Sequence, residues 1–522
     1  MAALVPVALA ALPPIHDYPS HLARIFVMHD LLTERRFAAF YTLHPAVIPN
    51  LAMDAVVLAL ERLGVPVEAA GRIFIALVIL GMGFGTIAVH RRLFGRMSPV
   101  PALAFAFAYN PILMFGFMNY LFGLAVALFG FAFWLRARDH GRGQPFGWRL
   151  ALGLLGWSVV AFFCHLMAVG LLLGLIGAHE LDRLCRPQDG LAWAARLAVA
   201  GRAALVMAPS LAAVAALYLA APLAGTVATR PAEWSPAMLA SELPYRVHAL
   251  LHPHDAYNAA LDHVLAASMV AAVLLALLRG RLRIARPMLL PIATLAVACL
   301  VLPDQWAGTS FIAYRLPIFV LLLTVASVDI VPTRLPSVPT ASRGRRQAVL
   351  ALLVGGFVVA RSASAADAWQ AGSRFYQPIL AAMARLPPGA RIYSTILYRG
   401  SLLSALQLPW SHLASMATIR AGLFSADLFA DPAQNLLVPT PAYEPLARLA
   451  PLGFAATPGM LPDFDHDAFA PARLARFDYA LIEHPEFYPG GIPAGLRVLA
   501  RSQGAVLFAI DHASGGQPGT PP

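Results

Sequence analysis

The sequence predicts a polytopic α-helical membrane protein with a small α/β domain at its C-terminal end. Three observations carry this. Hydrophobic residues make up 59% of the 522 residues and charged residues only 12%, where soluble domains run near one half and one quarter. Mean hydropathy is +0.67. All 38 basic residues are arginine, and they gather in short stretches between apolar runs. The net charge of +11 therefore reads as membrane topology rather than as a nucleic-acid footprint. Cys164, Cys185 and Cys299 lie in or beside apolar runs and give neither a disulfide framework nor metal spacing.

The first apolar run begins at Met1 and stops at Pro13-Pro14. It has no basic region before it and does not read as a cleaved signal peptide. As a helix it spans ~20 Å at the standard rise, short of the ~30 Å hydrocarbon core. Further apolar segments run at about 70–90, 98–113, 117–136, 148–163, 164–183, 193–221, 261–279, 284–302, 311–330 and 347–361. With the first they make eleven transmembrane helices. The stretch 47–62 is a possible twelfth, and orientation decides. If it does not span, the loops 91–97, 136–149, 183–202, 279–286 and 334–346 share one side and carry nineteen arginines, against nine on the opposite side up to Arg361. The arginine-rich side is then cytoplasmic. So 14–69 reads as one external loop with interfacial helices at about 19–36 and 47–62. Residues 1–361 form the transmembrane domain and 362–522 an external, periplasmic domain. That domain has strand-like runs bounded by Pro and Gly, a terminal hairpin at Gln503-Gly504 and a low-complexity tail, "SGGQPGTPP".

The polar residues worth attention sit at the external ends of these segments. In "PPIHDYPSHLAR", Pro13–Arg24, Pro19 suits the first turn of a new helix. Asp17, His21 and Arg24 then stand at i, i+4 and i+7 on one helix face. Asp is also a preferred helix N-cap, so Asp17 reads equally as a cap or as a reactive carboxylate. Asn110, Asn119, Tyr120, His165 and Arg315 lie at the outer ends of other segments. Ionisable residues at membrane depth are costly and tend to mark function. His252-Pro-His254-Asp255 has metal-ligand residue types, but a bare His-x-His-Asp beside proline reads first as a solvated or interfacial loop. There is no P-loop, no dinucleotide fingerprint after a strand, no His-Glu-x-x-His and no nucleophile elbow.

The order of parts, with "IHDYPSHLAR", "NPILMFGFMNYLFGLAVAL" (110–128), "FFCHLMAVG" (162–170) and "AGTSFIAYRLP" (307–317), resembles the GT-C superfamily of membrane glycosyltransferases. The branch is that of the protein O-mannosyltransferases and lipid A aminoarabinose transferases. The likeness covers most of 1–361 as architecture, and its motifs are short. Many family members carry two adjacent acids in the first loop; here the pair is His16-Asp17, a single acid. The short first helix is a second departure.

The resemblance implies an inverting glycosyltransferase of the bacterial inner membrane and cell envelope. It implies a polyprenyl-phosphate sugar as donor and a lipid, glycan or protein as acceptor. A divalent metal is possible. Asp17 would be the catalytic base, at the one position the family uses consistently. Arg24, Arg315 and His21 would bind the donor phosphate. His16, Asn119, Tyr120 and His165 would bind sugar or acceptor hydroxyls. The rival readings are a transporter or flippase of a lipid-linked glycan and a non-catalytic subunit of envelope glycan assembly.

Overall fold

The structure is a computed structural model. It describes the chain apart from residues 140–146, 187–191, 225–234, 307–308, 331–339, 399–410, 450–454, 457–469, 488–491, 493 and 513–522. The predicted low-complexity tail lies outside the described residues.

The helices are α1 (Val5–Leu9), α2 (Tyr18–Leu32), α3 (Ala52–Arg62), α4 (Val67–Phe94), α5 (Pro111–Phe115), α6 (Met118–Asp139), α7 (Trp148–Cys164), α8 (Leu166–Cys185), α9 (Trp193–Ala220), α10 (Pro236–Leu251), α11 (Ala259–Leu278), α12 (Leu289–Val301), α13 (Ile312–Ala326) and α14 (Thr340–Met383), with short turns besides. Among the described residues, Val67–Phe94, Met118–Arg138, Trp193–Ala220, Ala259–Leu278 and Gln347–Met383 are long and apolar enough to cross a membrane. Trp148–Cys164, Arg286–Val301 and Ile312–Ala326 are apolar but shorter. The chain is an integral membrane protein. Leu205, Leu219, Leu274, Leu277 and Leu278 stand exposed on α9 and α11, as lipid-facing positions must.

Two of the eleven predicted segments do not form a continuous helix. The first forms only a 3-10 turn and α1, and the chain is already extended at Ala10. The segment 98–113 breaks into a 3-10 turn, Val100–Phe105, and α5. Pro99, Pro101 and Pro111 deny backbone donors there. The Asn110 side chain accepts from the Ile112 and Leu113 N–H groups and so starts α5. The predicted domain boundary at 361/362 falls inside α14, because "SASAADAWQAG" continues the helix without a breaker.

The bundle centres on α4 and α6, which lie side by side. A β-carbon at Gly81 would stand 2.8 Å from the Ala125 Cβ and one at Gly85 2.9 Å from that of Leu128. Small residues let the two backbones approach where lipid gives helices little hydrophobic reason to associate.

The strands are β1 (Tyr41–Leu43), β2 (Leu282–Ile284), β3 (Val328–Ile330), β4 (Arg391–Tyr398), β5 (Phe424–Ser425), β6 (Leu437–Pro439), β7 (Ala455–Ala456), β8 (Tyr479–Glu483), β9 (Leu496–Ser502) and β10 (Ala505–Ile510). The main sheet runs β5-β4-β8-β10-β9, with β7 also on β4. It is mixed: β4 pairs parallel with β5 and β8, while β10 is antiparallel to β8 and β9. The predicted hairpin at Gln503-Gly504 joins β9 to β10. Period-two alternation gives each face a core. Leu481, Ala505 and Leu507 pack with the helical bundle. Ala480, Ile482, Val506 and Phe508 pack with Phe37, Phe40 and Tyr41 of the first loop.

The first loop is thus built into the C-terminal segment. β1 pairs antiparallel with β6, and Tyr41 stacks on Phe424 at 5.5 Å. The two predicted loop helices exist as α2 and α3, but α2 is buried over most of its surface rather than laid on an interface. Arg24 clamps this junction. Its Nη2 donates to Asp54 Oδ1 at 2.5 Å and its Nη1 to Asn435 Oδ1 at 2.5 Å, with only 1% of the residue exposed.

Removing one partner of a buried ion pair strands the other charge and costs about 3–5 kcal/mol. Asp54→Ala is expected to lose about that much stability in detergent. Asn435→Ala should lose about 1.5–3 kcal/mol, the scale of a hydrogen bond to a charged group. Denaturation midpoints followed by intrinsic fluorescence measure both.

Candidate functional site

Asp17 occupies the N-cap position of α2, and its side chain makes no capping hydrogen bond. Its Oδ1 instead meets His16 Nδ1 at 2.7 Å and lies 3.7 Å from His412 Nε2. The helix start places the residue, and the carboxylate remains available for chemistry. Its side chain keeps 15% exposure among neighbours that are almost closed to solvent. Burial raises its pKa, but the hydrogen bond from His16 and the nearby His412 imidazolium win, so the net shift is downward and Asp17 is ionised at neutral pH.

His412 comes from the C-terminal segment. Its Nδ1 bonds Asp427 Oδ1 at 2.6 Å, which turns Nε2 toward Asp17. Burial pushes the His412 imidazole down, and the Asp427 carboxylate, joined by Asp17, more than reverses this and brings it up to about 8. The result is an imidazolium between two carboxylates. The mount reaches back to α2: the Ser20 hydroxyl accepts from Phe429 N–H at 2.8 Å and donates to the Asp427 carbonyl at 3.3 Å. His412 sits at φ 62, a left-handed conformation that costs a non-glycine residue free energy and clusters at functional sites.

His16, Asp17 and His412 each offer a ligand atom within 4.8 Å of one another. With Asp427 behind His412, they have the residue types and outer support that a divalent cation uses.

On the other side stands Arg315, near the start of α13. Its guanidinium lies 3.8 Å over the Phe117 ring, and its carbonyl accepts from the Tyr120 hydroxyl at 2.8 Å. Phe311, the cap of α13, is also left-handed, at φ 59. One turn joins the two sides. Gly116 has φ 94, and a β-carbon there would stand 2.6 Å from Asp17 Cβ. The next residue carries Arg315 on its ring. The main chain completes the join: His16 N–H donates to the Met114 carbonyl at 2.9 Å and Asp17 N–H to that of Phe115 at 3.3 Å.

Arg315 Nη1 lies 2.8 Å from His165 Nε2. His165 Nδ1 lies 3.1 Å from Met167 N at the start of α8. An arginine can only donate, so in the 2.8 Å contact the imidazole Nε2 accepts from the guanidinium.

Of the residues expected from sequence, the structure gathers His16 and Asp17 on one side of the turn, and Tyr120, His165 and Arg315 on the other. It does not bring Arg24 there: that guanidinium is spent on Asp54 and Asn435, because the helix face it shares with Asp17 is covered by the C-terminal segment. His21 shares the cover. It packs edge-on against Phe429 at 5.2 Å, and burial, with Arg24 nearby, lowers its pKa to about 3, so it carries no charge for a phosphate. Asn119 ties down the first loop: Oδ1 accepts from Met53 N–H at 2.7 Å and Nδ2 donates to the Asn50 carbonyl at 2.8 Å. His412, Asp427 and Ser20 escaped sequence reasoning. His412 is a lone histidine in "PWSHLASM" with no partner at readable spacing.

A histidine whose pKa rises on folding stabilises fully below its unfolded value, near 6.5, and loses that contribution as pH climbs through its folded value, near 8. The effect amounts to about 2 kcal/mol. The melting temperature in detergent should therefore fall between pH 6.5 and 8.5, and His412→Asn should flatten that fall. An equal fall in both proteins would contradict the ion-pair assignment.

No family model matches the chain, and no curated protein matches it. Among solved structures, it is similar to ArnT from Cupriavidus metallidurans in the apo state, at 15% identity and a TM-score of 0.49, covering 97% of this chain and 95% of that one. It is similar to the same protein bound to undecaprenyl phosphate at 15% identity and a TM-score of 0.49, covering 98% and 97%.

Proposed function

We propose that this protein is an inverting glycosyltransferase that moves a sugar from a polyprenyl-phosphate-linked donor to a hydroxyl acceptor at the external face of the membrane. The observation that carries the reading is Asp17: an ionised carboxylate at a helix start, released from capping and set across one turn from a buried arginine. The sequence resemblance to GT-C transferases assigns the base to this same residue. In this reading the C-terminal segment lies on the external, periplasmic face, since it supplies His412.

The acceptor hydroxyl gives its proton to Asp17 as its oxygen attacks the anomeric carbon. The bond from that carbon to the phosphate oxygen breaks, and its electron pair leaves with the lipid phosphate. General-base assistance of this kind contributes typically 10²–10⁴-fold. Charge grows on the phosphate as the bond breaks, and preorganised cations stabilise it there. Arg315 takes this role, with His165 holding its guanidinium and Tyr120 its backbone. The His412 imidazolium keeps Asp17 ionised and accepts its share of charge without leaving the Asp427 carboxylate. A divalent cation held by His16, Asp17 and a deprotonated His412 would take the place of the imidazolium charge rather than add to it.

Asp17→Asn keeps the helix-start geometry and removes the base. Transfer from polyprenyl-phosphate sugars in proteoliposomes should fall at least about 100-fold, while binding of polyprenyl phosphate persists. Arg315→Ala should weaken that binding. Transfer that survives Asp17→Asn nearly intact would leave Asp17 as a helix start only and overturn its role as the base.

A further inference from the structure

The loop after α10 holds a second cluster, remote in sequence from the residues above. Asp255 Oδ1 lies 3.6 Å from His252 Nδ1 and 3.7 Å from His254 Nε2. All three atoms are buried, and none has a hydrogen-bond partner. Those separations exceed hydrogen-bond range. Burying polar atoms without partners costs free energy, so three of them converging on one point is an arrangement that calls for something between them.

The chemistry selects what that is. A fourth group, His248, stands one helical turn before His252, and its ring stacks on that of His252 at 4.4 Å. His248, His252 and Asp255 each offer a ligand atom within 4.8 Å of one another. Ligands bound to zinc at ~2.0–2.1 Å in tetrahedral geometry lie about 3.4 Å apart, close to the spacing seen. Imidazole nitrogens with one carboxylate suit zinc and its neighbours better than magnesium or calcium. The site also sits at the C-terminal end of α10, where the helix dipole favours positive charge.

The loop is held in place independently of any ion. Arg361 of α14 donates to the His254 carbonyl at 2.6 Å and to the Tyr109 carbonyl at 2.9 Å, and pairs with Asp262. Asp262 in turn accepts from Ala256 N–H at 2.7 Å.

We propose that His248, His252, His254 and Asp255 form a zinc-class cation site that fastens this loop between α10, α11 and α14. The site is separate from the Asp17 cluster and does not depend on the transferase reading.

The test uses untagged full-length Asp17→Asn protein in detergent, stripped with chelator, so that the His16–Asp17–His412 cluster contributes no carboxylate ligand. Zinc is added, free ion is removed by dialysis, and bound metal is counted by mass spectrometry. One equivalent is expected, falling to near zero on adding Asp255→Asn or His252→Ala. X-ray absorption of the loaded protein needs no further variant and should show only nitrogen and oxygen ligands, with the outer-shell signature of two or more imidazoles. Zinc retained equally with and without Asp255→Asn, a spectrum with sulfur ligands, or no retained zinc at all would each overturn the proposal.

Discussion

Everything in the candidate site depends on one carboxylate staying ionised where water has been largely excluded. An isolated ionised carboxylate in such a place is costly enough to take up a proton instead. Asp17 escapes this because two imidazoles, His16 and His412, are held against it, and because Asp427 keeps His412 charged. The chain supplies these groups from opposite ends. Seating His412 therefore requires the C-terminal sheet, and seating Asp17 requires the break in the first apolar run and the start of α2.

The helical bundle serves the same requirement. The α4–α6 pair, brought close by glycines, fixes the start of α6. The turn before it carries Gly116, which lets the main chain touch Asp17, and Phe117, which supports Arg315. Arg24 and Asn119 fasten the first loop from its two flanks. Both are remote from the chemistry and both bear on it, since a loop free to move would take Asp17 with it. Left-handed conformations at His412 and Phe311 show where the fold accepts local cost to aim a residue.

Local signals in the sequence were legible, and long-range ones were not. The start of α2 could be read from Asp17 and Pro19, and Arg315 from its charge inside an apolar run. The segment 98–113 misled because its composition is apolar while Pro99, Pro101 and Pro111 forbid a continuous helix. The first run failed as a helix because proline bounds it and Ala10 is already extended. Arg24 looked like a phosphate ligand because helix periodicity says which residues share a face and not what covers it. His412 was invisible: its partners are joined by tertiary contact alone, and a single histidine among apolar residues carries no periodicity. The long α14 was cut short because its second half is polar enough to read as soluble, although nothing in it breaks a helix.

The central claim is that His412 acts on transfer through Asp17. A double-mutant cycle of Asp17→Asn and His412→Ala, read as the transfer rate from a polyprenyl-phosphate sugar, tests it most directly. Residues that act as one unit are strongly non-additive. The account predicts that each single change is severe and that the double variant is no slower than Asp17→Asn alone. Losses that multiply in the double variant would contradict it.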